Sequence, residues 1–283
     1  MNTINSTLAD TLESNVFAQS DTNTLHSDYG TELGEINTLD CKSVDISRYF
    51  NASVTDIFKQ KYLSPRSPYT TLCLPKQGIG DWCSTKRTAD IDDSALRTSG
   101  GVLKVADVPF ITPAKGNNIA FSSLWDNFPD SITIPLKGKA EKICLLLAGS
   151  TNPMQSRFDN GELIVTYSDG STKTLSLRNP DNWCPIEQDY DEDGLAFHIS
   201  CKRPYRLSLK TGLVSRTLAQ DMHINNVGSS DEPEMKQPML SIPGGAAELL
   251  AIDIDKTKRL KGLTVKTTAN DVVIGLLGIT LVK

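Results

Sequence analysis

The segment from Glu162 to Leu177 constrains the fold more than any other part of the chain. Leu163, Val165 and Tyr167 fall at alternate positions, as do Leu175 and Leu177 after the break, and Ser168-Asp169-Gly170-Ser171 lies between the two runs. Alternation with period two marks a strand with one buried face, and Asp-Gly supplies the positive-φ position that a tight turn needs. This is a β-hairpin, and a hairpin needs further strands to bury its apolar face.

Those strands are written along the rest of the chain. Thr70–Pro75, Asn118–Trp125, Ser131–Leu136, Phe197–Ile199, Arg206–Leu209 with Leu213–Ser215, Ala247–Asp253 and Leu260–Thr267 read as strands. Lys142–Ala148 and Val272–Val282 are nearly continuous apolar runs, which read as strands covered on both faces. Turn residues recur between them, no repeat of constant period appears, and only Val54, Ile57 and Phe58 show helical spacing. The pattern predicts an all-β fold, an antiparallel β-sandwich of the jelly-roll or galactose-binding-like kind. A single short helix is expected near residues 54–59, capped by Asn51 or Ser53 and ended before Ser64-Pro65.

Residues 1–43 are expected to form a loose polar leader, with 1–35 rich in Ser, Thr, Asn, Asp and Glu. The sandwich domain is then 44–283, of which 44–110 is an irregular lead-in packed on it, anchored by Trp82. The first twenty residues lack the apolar run of a signal peptide. The chain as written is therefore cytoplasmic, unless it is a piece of an exported parent, which would place it in the periplasm or at the cell surface.

Charge and cysteine usage exclude several classes. A net charge of -5 and scattered basic residues argue against nucleic acid, and the cluster Lys256, Lys258, Arg259, Lys261 reads as a solvated turn. No apolar stretch approaches the length of a membrane helix. The six cysteines (Cys41, Cys73, Cys83, Cys144, Cys184, Cys201) contain no C-x-x-C pair, and Cys144 sits inside an apolar strand where a free thiol is expected. No hydrolase elbow, zinc helix or phosphate loop is present, and Gly78-Ile79-Gly80 lacks the third glycine of a dinucleotide turn.

Two constellations remain. Glu187–Gly194 carries five acids in eight residues, and Asp189, Asp191, Asp193 and Gly194 match the first half of a calcium loop. The closing glutamate is replaced by Ser200. A solvated loop is the simpler reading, with a loop calcium site on Asp189, Asp191 and Asp193 as the alternative; no other cofactor is implied. The second constellation joins Trp125, Asp126 and Asn127 to Asn152, Gln155 and Arg157 and to Asn182 and Trp183, all in segments at strand ends. Sugar sites pair an aromatic face with amide, carboxylate and guanidinium groups, and these segments hold all four. The competing reading makes the two tryptophans core plugs beneath loops.

Tyr62–Thr71, Trp125–Ser131, Ala148–Arg157, Asn179–Trp183 with Pro185–Tyr190, and Ala269–Gly275 together extend over residues 44–283. In these strings the chain resembles the C-terminal β-rich domain of unknown function found in large glycoside-hydrolase-like proteins of polysaccharide-degrading gut bacteria. The resemblance implies a β domain that follows a catalytic domain in glycan-degrading proteins. It supplies no catalytic residue, and the catalytic portion has no counterpart here. The function expected is a non-catalytic accessory module whose partner is a glycan or a glycoside hydrolase domain. A purely structural interaction domain is the alternative, and a free-standing glycosidase using Asp126, Asp130 and Glu187 a third reading.

Overall fold

The computed structural model describes residues 28–60, 90–151, 156–190, 198–224, 241–270 and 272–283. Strands make up 45% of it and helices 9%, and the sheets are antiparallel, as the alternating runs predict for an all-β sandwich. The expected strand at Thr70–Pro75 and the anchor Trp82 lie outside the described residues.

Sheet one runs in the order β1 (Cys41–Val44), β13 (Val272–Val282), β6 (Lys142–Thr151), β11 (Ala246–Asp253), β9 (Tyr205–Ser208), β10 (Val214–Ser215). β4 (Ala120–Ser123) pairs with the other half of β13. Sheet two runs β5 (Ser131–Pro135), β12 (Leu260–Thr267), β7 (Asp159–Tyr167), β8 (Thr172–Arg178). Leu145, Leu147, Leu250, Ile252 and Ile274 of sheet one meet Leu163, Val165, Leu263 and Val265 of sheet two in the core between them.

The opposite face of sheet one is buried too. Leu146, Ala148, Leu249 and Val273 lie beneath a two-stranded ribbon, β2 (Val102–Val105) and β3 (Val108–Ile111), together with Val54, Ile57 and the short helix α1 (Ser94–Thr98). Close approach of the ribbon depends on Gly278, where a Cβ would stand 2.9 Å from Phe110 Cδ1. Double coverage explains why every residue of β13 is buried, whereas β8 alternates between its faces.

The hairpin forms as its sequence predicts. Gly170 takes φ +87°, Tyr167 N–H donates to Ser171 O at 2.9 Å, and Asp169 Oδ1 accepts from Ser171 N at 2.9 Å.

Several details differ from expectation. Residues 54–56 form a single 3-10 turn rather than an α-helix, and neither Asn51 nor Ser53 caps it. Asn118 Oδ1 accepts from Val54 N at 2.9 Å instead, while Asn51 is spent pairing with Phe121 N and O at 2.9 Å each. The α-helices are elsewhere, at α1 and at α2 (Leu218–Asp221). His198 and Ile199 are not in a strand. The lead-in contains the paired strands β2 and β3, and β1 begins within the expected leader.

Residues 28–43, expected in the leader, are packed. Gly30 O accepts from Ala251 N at 2.7 Å, Leu33 O from Lys142 Nζ at 2.6 Å, and Thr31 and Leu33 are buried. This strap crosses from the open flank of β11 to β8, where Gly30 meets Leu175. It contributes Leu33 to the outer core.

Candidate functional site

One end of the sandwich collects the predicted loops. β4, β6, β8 and β12 end there at Ser123, Thr151, Arg178 and Thr267, while β5, β7 and β13 begin there at Ser131, Asp159 and Val272. Thr151 Oγ1 to Asn160 Oδ1 at 2.6 Å and Ser122 Oγ to Thr267 Oγ1 at 2.9 Å stitch the two sheets together at this end. The segments holding Trp125, Arg157 and Trp183 therefore emerge side by side, as their strand-end positions suggest. Asn152 and Gln155 lie outside the described residues.

The tryptophans do not serve the role expected of them. Trp125 is 1% exposed in the outer core with Phe121 and Phe128, and Trp183 is 0% exposed between the sheets. Trp183 lies against Gly149, where a Cβ would stand 2.8 Å from the indole. The two rings occupy opposite faces of sheet one, so no sugar can stack on either. Asn182 is also internal: Oδ1 accepts from Arg178 N at 2.8 Å, and Nδ2 donates to Tyr29 O at 2.8 Å and Ser176 O at 2.9 Å. Its amide holds the loop and the strap in place, leaving Asp126, Asn127 and Arg157 as the described predicted residues that reach the surface.

The surface carries an aromatic that the sequence reading passed over. Phe158 is 45% exposed. On one side Arg157, at φ +66°, pairs with buried Asp181 at 3.6 Å and donates to His198 O. On the other, Asp159 Oδ1 accepts from Arg178 Nη2 at 2.9 Å. The open ring thus lies, along the chain, between Arg157 and Asp159, each of which joins a guanidinium–carboxylate pair.

Behind this surface the acidic loop turns inward. Asp189 is 2% exposed; Oδ2 accepts from Ala219 N at 2.7 Å, Oδ1 accepts from Tyr190 N at 2.9 Å, and Arg206 Nη1 lies 3.8 Å away. Its oxygens thus serve the fold. Asp191 and Asp193 lie outside the described residues, and no cluster of three metal-ligating side chains occurs among the described ones.

Arg206 is buried under the same loop. It donates to Gln188 O at 2.8 Å, Pro185 O at 3.1 Å and Ala246 O at 3.2 Å, and lies 5.5 Å from the Tyr190 ring. Glu248 pairs with Arg206 across β11 and β9 and accepts from Tyr190 Oη at 2.8 Å. Burial pushes the Glu248 carboxyl up to about 8, against the opposing pull of Arg206 and the hydrogen bonds from Tyr190 and the Cys184 N–H. Burial likewise raises the Cys144 thiol to about 12 and the Cys201 thiol to about 11, and both are free, as are Cys41 and Cys184.

A groove of about 700 Å³ runs between the strap, the β2–β3 turn and β9. Its cations are engaged: Lys202 lies 3.4 Å from Glu32, and Arg216 stacks 4.0 Å over Tyr205 while donating to Thr31 O at 3.1 Å.

No protein-family model matches the chain, and no curated protein matches it.

Proposed function

We propose that the protein is a non-catalytic accessory module of a carbohydrate-degrading system that binds glycan at the strand-end surface around Phe158. The observation that carries the reading is the exposed Phe158 at the strand end, adjacent in the chain to Arg157 and Asp159, which join ion pairs with Asp181 and Arg178. A pyranose offers an apolar C–H face and a ring of hydroxyls. An open aromatic takes the first, and paired guanidinium and carboxylate groups take the second. The sheets beneath hold these groups rigidly, which limits the entropy lost on binding.

A catalytic reading gains little support. Among the described carboxyl groups, the one raised to about 8 is Glu248, which is 1% exposed beneath Tyr190 and out of a substrate's reach. The second reading, a purely structural interaction domain, is favoured by the two tryptophans acting as core plugs. Against it, the exposed large apolar side chains among the described residues, Leu39, Val102, Phe158 and Leu213, come from four separate segments and mark no docking face.

The experiment is a glycan array probed with the whole chain and with Phe158→Ala, with and without calcium. Binding that the variant loses supports the reading. Equal binding by both chains moves the site away from Phe158, and none by either gives the structural domain first place.

A further inference from the structure

The flank opposite the strap is built differently. In the seam between β1 of sheet one and β5 of sheet two lies a cavity of about 280 Å³. Its floor is apolar: Leu136 and Leu281 are buried members of the core between the sheets, and Val44 packs against them. Three cations stand at the rim: Lys42 on β1, Arg48 in the turn after it, and Lys137 just beyond β5. One carboxylate, Asp45, accompanies them, so three positive charges against one negative leave a surplus of two.

Asp45 Oδ1 accepts from Ser47 N at 2.9 Å, and its charge stays in place within electrostatic reach of Arg48. Arg48 is held in place by a 2.7 Å hydrogen bond to Tyr49 Oη and by stacking 4.8 Å over its own neighbour's ring. Among the described residues Lys42 and Lys137 form no ion pair. In a chain of net charge -5, three cations converging on an apolar hollow oppose both the overall charge and one another. An anion seated between them relieves that repulsion, and the low-dielectric floor strengthens the attraction relative to open water.

We propose that this cavity binds an oxyanion group (sulfate, phosphate or carboxylate) carried on a small organic molecule whose apolar face rests on Val44 and Pro135. The site is separate from the Phe158 surface and stands or falls independently of it.

The test is titration of the whole chain at low ionic strength, followed by NMR, with glucose 6-sulfate, glucose 6-phosphate, glucuronate, glucose and inorganic sulfate. At least one charged sugar is expected to saturate roughly tenfold more tightly than glucose, to shift the amides of residues 42–48 and Lys137, and to weaken as salt is added. Which charged sugar binds best identifies the oxyanion. The double variant Lys42→Gln/Lys137→Gln, altered at two exposed positions, is expected to lose at least tenfold in affinity at an unchanged Tm. Phe158→Ala is expected to bind these probes as the unaltered chain does. Glucose binding as tightly as every charged sugar, inorganic sulfate binding with no sugar following, or full affinity in the double variant would each overturn the proposal.

Discussion

Tyr190 donates its phenolic hydroxyl to Glu248 at 2.8 Å, and this one bond ties the loop after β8 to the centre of sheet one. Both residues are buried, and Arg206 lies beneath them with its guanidinium turned to loop carbonyls. A carboxyl group in this position is better accommodated with its proton on.

Folding therefore takes up a proton at Glu248. The folded value is raised to about 8 by burial, while the unfolded chain titrates near the ordinary carboxyl value of 4.5. Between those values the native state binds more protons than the unfolded state, so stability falls as pH rises through the window and levels off above it. Thermal melts from pH 5 to pH 9 are expected to show that decline. Glu248→Gln, which keeps the shape and loses the titration, is expected to flatten it while holding Tm near its pH 5 value. An unchanged slope in the variant refutes the assignment.

Gly149 and Trp183 form a second pair. A methyl group on Gly149 would run into Val273 O and stand 2.8 Å from the Trp183 ring. Gly149→Ala is expected to destabilise by about 1–3 kcal/mol through overpacking, and Trp183→Ala by about 3–5 kcal/mol through the cavity it leaves. Urea denaturation measures both. Trp183→Ala at full stability would mean the ring is not a core plug.

The strap is expected to matter more than its polar composition suggests. Gly30 sits at φ +69° with Ala251 O 2.9 Å from where a Cβ would be. Gly30→Val is expected to lower Tm by several degrees, and deletion of residues 28–36 by more, since it also removes Leu33 from the core. Differential scanning calorimetry of the two variants decides the matter; unchanged melting would show the strap is dispensable.

Binding at the strand-end surface is expected to weaken by about 1–2 kcal/mol, roughly tenfold, in Phe158→Ala and again in Arg178→Ala. Both side chains are partly exposed, so circular dichroism should show the fold intact. Calorimetry with any glycan retained on the array reads the affinities. Full affinity in both variants removes the surface from consideration.

The sandwich was legible in the sequence because its strongest signals are local. Asp169-Gly170 states its turn outright, and β6 and β13 read as apolar runs because both of their faces are covered. The ribbon was missed because Ala106 and Asp107 make its turn at φ +45° and +66° without a glycine. A turn that strains a residue with a Cβ carries no signal in composition. β1 was missed because none of its four residues is fully buried. The loops of the site were placed correctly at strand ends, but whether an indole at a strand end faces water depends on what packs over it. Gly149, distant in sequence, lies against Trp183, and Tyr29 of the strap fixes the neighbouring Asn182. Phe158, set between an arginine and an aspartate, reads as the start of a strand and gives no hint of its exposure.

The place of β13 bears on how the chain acquires its structure. The strand holding Val272–Val282 lies between β6 on one side and β1 and β4 on the other. Strands formed from residues 41–44 and 120–123 must wait for one that leaves the ribosome more than a hundred residues later. Until then one edge of β6 has no partner, and Leu145, Leu146 and Leu147 are flanked by a strand, β11, on one side alone. Such long-range pairing folds slowly and exposes sticky edges on the way. The growing chain is thus most in need of a chaperone just before its last eleven-residue strand emerges.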